Sequence, residues 1–129
     1  MKKATKLFLM LLVMASMLTI TSCNKDKKLP EKITVSGQVT YENGDAAEGV
    51  AVEVVSSYLM AIPTPVDLPV YTNEEGRYLV EFEPKEDLTY SIRFNVTMDD
   101  CQYSYQDDLT KWEANQVCDA VLKKNEDNN

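Results

Sequence analysis

The feature that most constrains this chain is a period of two. Tyr90, Ile92, Phe94, Val96 and Met98 alternate with Ser91, Arg93, Asn95 and Thr97, and such a segment separates apolar from polar side chains only when it is extended. The same period runs through Ile33, Val35, Val39 and Tyr41, with Gly37 in the series, through Val50, Val52 and Val54, and through Tyr78, Val80 and Phe82. Turn chemistry separates these runs: "YENGDAAEG" follows the first, "NEEG" at Asn73–Gly76 precedes the Tyr78 run, and Pro84 ends it. A short strand over Gln116–Leu122 is expected to close the set. Short alternating strands separated by turns point to an all-β fold, a Greek-key β-sandwich of about seven strands.

Ahead of the strands stands a segment of different character. Lys2, Lys3 and Lys6 precede an uncharged run from Leu7 to Ile20, the order of a secretory signal. As a helix this run would reach about 21 Å, short of a hydrocarbon core of about 30 Å. It ends in Leu18-Thr19-Ile20-Thr21-Ser22-Cys23, which resembles the lipobox of bacterial lipoproteins. The resemblance implies cleavage after residue 22 and lipid on Cys23, which anchors the chain to a membrane of the cell envelope, the outer membrane in particular. Several acyl chains would meet the need for more than one membrane signal. Lys25, Lys27 and Lys28 then either lie at the headgroups or belong to a solvated linker. In lipoproteins of gut Bacteroidota, which this signal resembles, an acidic stretch after the cysteine marks export to the cell surface. "NKDKK" departs from that, so the periplasmic face is favoured.

The expected organisation is a signal peptide over 1–22, a lipidated linker over 23–32, one domain over 33–123 and a disordered tail over 124–129. Residues 1–22 hold three of the 13 basic residues and none of the 21 acidic ones, so their removal deepens the net charge from −8 to −11. That field opposes nucleic-acid binding.

Within the domain, "ITVSGQVTYENGDAAEGVAVEVVSS", "VYTNEEGRYLVEF" and "LTYSIRFNV" resemble the carboxypeptidase regulatory-like domain, a transthyretin-like sandwich. Gly37, Val39, Gly49, Val50, Val52, Thr72, Gly76 and Tyr78 occupy the places of that family's pattern. The resemblance covers about residues 33–96 and leaves the chain after Met98 unexplained.

Much chemistry is excluded by composition. The chain has no histidine, so Ser-His-Asp and Cys-His catalysis and histidine metal sites are absent. The branch of the transthyretin-like fold that hydrolyses 5-hydroxyisourate depends on histidines and a carboxy-terminal motif, and this sequence has neither. A carboxylate pair is formally available, but the acids fall on strand exteriors and turns. Asp99-Asp100 and Asp107-Asp108 offer hard oxygen ligands without EF-hand spacing. A non-enzyme with no cofactor and no metal site is expected.

Cys101 and Cys118 remain once Cys23 is set aside. In an envelope compartment they are expected to form a disulfide, the alternative being two buried thiols. Between them lies "CQYSYQDDLTKWEANQVC", with Tyr103, Tyr105, Asp107, Asp108 and the single tryptophan, Trp112, as candidate binding residues. Tyr103 and Tyr105 share the parity of Cys101, which favours the core for both. Trp112 follows "DDLTK", a polar run poorly suited to a central strand, which leaves core and surface both open for it and sets it nearer the surface than either tyrosine. The stretch "YLMAIPTPVDLPVYT", with Pro63, Pro65 and Pro69, reads as a stiff connector or sheet-edge segment. Two functions follow: a structural or interaction module for an envelope protein, or a glycan- or peptide-binding accessory lipoprotein of a nutrient-uptake system.

Overall fold

The computed structural model describes residues 28–126; the expected signal peptide and Cys23 lie outside the described residues. The described chain is all-β. Its strands are β1 (Ile33–Tyr41), β2 (Ala51–Ser57), β3 (Thr64–Pro65), β4 (Val70–Tyr71), β5 (Arg77–Phe82), β6 (Thr89–Met98), β7 (Cys101–Leu109), β8 (Asn115–Val117) and β9 (Ala120–Lys124). They form one curled sheet in the order β3-β2-β6-β7-β9-β1-β5, with β4 also on β2 and β8 also on β1.

Every period-two run is a strand, and the predicted faces are the buried ones. Ile33, Val35 and Val39 of β1, Tyr78, Val80 and Phe82 of β5, and Tyr90, Ile92 and Phe94 of β6 meet in one core. β5 and β6 do not pair in the sheet, yet Tyr78 packs edge-on against Phe94 at 5.2 Å between ring centroids, and Phe82 lies 4.7 Å from Tyr90. The curl therefore brings the faces of distant strands together, and each aromatic pair adds about 0.5–1.5 kcal/mol beyond its buried area.

Two turns show their causes. Asp99 and Asp100 form the two-residue link of the β6–β7 hairpin with φ of 52° and 61°, the left-handed pair that a type I′ hairpin requires. At "NEEG", the Asn73 carboxamide accepts from the backbone N–H of Glu75 (3.0 Å) and Arg77 (2.9 Å), which turns the chain into β5. Nearby, the buried Thr72 hydroxyl donates to the Ala47 carbonyl (2.5 Å) and accepts from the Val50 N–H (3.0 Å). It satisfies two backbone groups that burial would otherwise strand.

The last expected strand, 116–122, is broken in two. β8 and β9 run parallel to β1 in a common register, Ser36 opposite Val117 and Val39 opposite Ala120. At the break the Asp119 carboxylate accepts the Gln38 N–H (2.8 Å), and the Tyr78 hydroxyl donates to the Cys118 carbonyl (2.5 Å). Gly37 permits this closeness, because a Cβ there would overlap the Cys118 carbonyl. β9 also runs past the expected boundary at 123: Lys123 and Lys124 pair with Ser104 and Tyr103, and Asn125 donates its N–H to Gln102 (2.8 Å). The first two residues of the expected tail are thus sheet-bound.

Gly37→Ala is expected to lower stability by about 1–3 kcal/mol, the usual cost of overpacking a filled site. Val121→Ala, exposed on β9, should stay within about 0.5 kcal/mol of the parent. Urea denaturation of the three proteins checks this, and equal midpoints would contradict it.

Candidate functional site

The structure divides the candidate residues among three places. Tyr103 and Tyr105 are half-buried on the inner face of β7, Tyr103 against Tyr41 (5.5 Å between centroids) and Tyr105 against Phe94 (5.9 Å). Asp107 shares that face and accepts from the Tyr105 hydroxyl (3.4 Å). Asp108 lies on the other side of the strand, in a shallow depression with Ser57, Thr89, Ser91 and Gln106. The acids do belong to a strand: β7 pairs with β6 through Leu109, while β9 covers β7 only at Tyr103 and Ser104. The far half of β7 is therefore open along one side, where carboxylates remain hydrated.

Trp112 stands apart, on the loop between β7 and β8, and is 37% exposed. The loop is braced from within. Gln116 accepts the Thr110 N–H (3.2 Å) and donates its side-chain amide to the carbonyls of Thr110 (2.6 Å) and Glu113 (3.1 Å). Lys111 donates to the carbonyls of Glu86 and Leu88 on the β5–β6 connection, and its ammonium lies 5.3 Å from the centre of the indole, a cation–π contact. The indole is fixed by its loop rather than joined to the tyrosines, so the candidate aromatics do not form a common platform.

The expected disulfide is not formed: Cys101 and Cys118 are free thiols. Cys101 opens β7 opposite Met98. Continuing the β7–β9 register sets Cys118 level with Leu109, eight positions away. At about 3.3 Å per residue that is about 26 Å, and a disulfide needs Cα atoms within about 7 Å. Spacing in sequence gave no access to this, because the register depends on which strand lies beside which.

Cys118 is instead a buried thiol in a small polar cluster. Burial foremost, then the Asp107 carboxylate, pushes it above its ordinary value, and its hydrogen bond with Tyr78 offsets only part of this. Burial likewise raises the Tyr78 hydroxyl far above its ordinary 10.0, helped by Cys118 and Asp119. A thiol held protonated is a poor nucleophile. Among the described residues no group of three or more Cys, Asp or Glu is placed to hold a metal ion; Asp99-Asp100 and Asp107-Asp108 lie near opposite ends of β7.

A concave apolar feature lies elsewhere. β5 ends the sheet on one side and β2, with β3 and β4, ends it on the other. Where the curl brings these ends together, a groove of about 200 Å³ runs between Val52 and Val54 of β2 and Leu79–Phe82 of β5. Val66, Asp67, Leu68 and Val70 of the proline-rich connector form its lip. Sequence reasoning read this stretch as a stiff connector or sheet-edge segment but had no means of finding the groove, which exists only because the two sheet ends meet.

No family model matches the chain, and no curated protein proved similar to it. Among solved structures, a 9R-lipoxygenase from Cyanothece PCC8801 is similar with a TM-score of 0.51 and 12% identity, over 74% of this chain. The match spans 17% of the lipoxygenase and is a likeness of fold.

The geometry sets two expected outcomes. Trp112→Ala should cost less than about 1 kcal/mol, the worth of an exposed cation–π contact, whereas Phe94→Ala, at full burial, should cost about 3–5 kcal/mol. Thermal unfolding separates the two, and a Trp112 loss as large as that of Phe94 would place the indole in the core. Second, Tyr78 and Cys118 keep their protons to higher pH folded than unfolded, so above their unfolded values of about 10 and 8.5 the unfolded state binds fewer protons. Their contribution is complete below those values and is lost as pH rises through them. The urea midpoint should therefore fall between about pH 9 and 11, and less steeply in Tyr78→Phe; a flat profile in the parent would contradict this.

Proposed function

We propose that this chain is a lipid-anchored protein of the cell envelope, without catalytic function, whose domain is an interaction module. The anchor is Cys23, supported by the positive start, the short apolar run and the "ITSC" box. The domain reading is a carboxypeptidase regulatory-like, transthyretin-like Greek-key sandwich. It is supported by what the pattern residues do in the fold, since Gly37 admits the Cys118 carbonyl, Thr72 satisfies two backbone groups, and Tyr78 spans the core to the β1 seam.

The groove between the sheet ends carries the interaction reading. β5 pairs with β1 alone, and its free edge offers backbone donors and acceptors to an added strand, while the apolar walls accept alternate side chains of an extended segment. The partner class that fits is an extended peptide of another envelope protein. A glycan site is supported less, because Tyr103 and Tyr105 turn into the core and leave Trp112 without a neighbouring aromatic.

Fatty-acid labelling in the native host tests the anchor: the parent should incorporate label and Cys23→Ser should not, and equal labelling refutes it. For the groove, a photo-crosslinking residue at Leu68 should yield a discrete adduct in intact cells. The same residue at Val121, on the outer face of β9, should yield none. Identical patterns at both positions would refute the groove as the interaction surface.

A further inference from the structure

The strand registers gather four connections at one end of the molecule. Ile33 is opposite Phe82, Thr34 opposite Asn115, Ser57 opposite Thr89 and Tyr90 opposite Leu109. The entry segment 28–32, the connector after Ser57, the β5–β6 connection and the Trp112 loop therefore share one rim. The opposite rim consists of residues 42–49, 72–76 and 99–100.

These rims differ sharply in chemistry. The turns of the far rim carry Glu42, Asp45, Glu48, Glu74, Glu75, Asp99 and Asp100 and no large apolar residue; Arg77 pairs with Glu75 (3.3 Å), and Lys123 and Lys124 end β9 beside them. The near rim holds Lys28, Lys32, Lys85 and Lys111 against six acids, and exposes Leu59, Met60 and Ile62 by 82%, 101% and 87%. Leu59 and Met60 occupy the two corner positions of a turn closed by the Ala61 N–H on the Tyr58 carbonyl (3.0 Å). Turn corners ordinarily carry Gly, Asn, Asp or Pro, so an apolar pair there is unexplained by the fold. Pro63 and Pro65 stiffen the chain just beyond, which reduces the ordering cost of any contact the tip makes.

We propose that this rim is a lipid-contacting surface, seated in the interfacial layer of a zwitterionic bilayer with Leu59, Met60 and Ile62 at the acyl boundary and Trp112 at headgroup level. The proposal rests on the reading of Cys23 as a lipid anchor. Cys23 precedes Lys28 by five residues, at most about 18 Å of extended chain, and the chain enters the fold at this rim, so the anchor holds the apolar tip close to the bilayer. Exposed apolar side chains flanked by lysines and a tryptophan match the chemistry of that layer. The seven acids of the far rim turn away from it. A net charge of −11 after removal of residues 1–22 selects zwitterionic over anionic lipid.

The single tryptophan provides the test. The full lipidated chain, purified from membranes, is reconstituted into phosphatidylcholine vesicles with plain or brominated acyl chains, and vesicle flotation and Trp112 emission are both recorded. The parent should float, and brominated lipid should remove most of its emission. Leu59→Ser/Met60→Ser/Ile62→Ser should float equally yet recover emission in brominated vesicles. Floating parent protein with equal emission in both lipids overturns the rim assignment alone, as does self-association through the tip without quenching. Parent protein that fails to float overturns the anchor, and the rim contact with it.

Discussion

The fold depends on the seam between β1 and the broken strand β8–β9. This pairing is parallel and joins the first strand to the last, so it carries the full cost of closing a long loop. Its centre is the place where Gly37 has no side chain. The Cys118 carbonyl occupies that space and receives the Tyr78 hydroxyl, while the Asp119 carboxylate takes the Gln38 N–H that a continuous strand would have bonded. A missing methyl, a phenol and a carboxylate together let the sheet close on β1 with the Gln38 N–H and the Cys118 carbonyl both partnered.

The other features follow from that closure. With β1 held between β5 and β8–β9, the sheet curls until Tyr78 and Phe82 meet Phe94 and Tyr90 across the core. The curl leaves two ends facing one another, and the groove is the space between them. It also explains why the Cys118 thiol is pushed up: it is buried, with Asp107 and Asp119 nearby, where the neutral thiol is the favoured form.

The same architecture separates the surface into regions of different chemistry. Short polar turns at one rim carry acids and no large apolar side chain, whereas the longer connections at the other carry the apolar tip and Trp112. Turns that reverse a hairpin in two residues admit little besides residues tolerant of positive φ, as at Asp99-Asp100. The long connection between β2 and β5 supplies both the lip of the groove and the exposed tip, where Leu59 itself has a φ of 52°.

Local pattern made the strands legible. Alternation in β1, β5 and β6 named their buried faces, because side-chain direction in a strand follows from covalent geometry alone, and the parity of Tyr103 and Tyr105 with Cys101 placed both against the core. The polar run before Trp112 did mark a surface indole, but for an incomplete reason: Asp107 and Asp108 are in a strand, tolerated because β9 covers only the first part of β7. That depends on a neighbour more than ten residues away in sequence. The Cys101–Cys118 bridge failed on the same ground, since an even count of thiols says nothing about register. The sequence by itself determined which residues point inward and where the chain turns, since both are decided within a few residues. Only the tertiary structure decided which strands are neighbours, and hence the seam, the groove and the shared rim, because these arise from contacts between residues far apart in the chain.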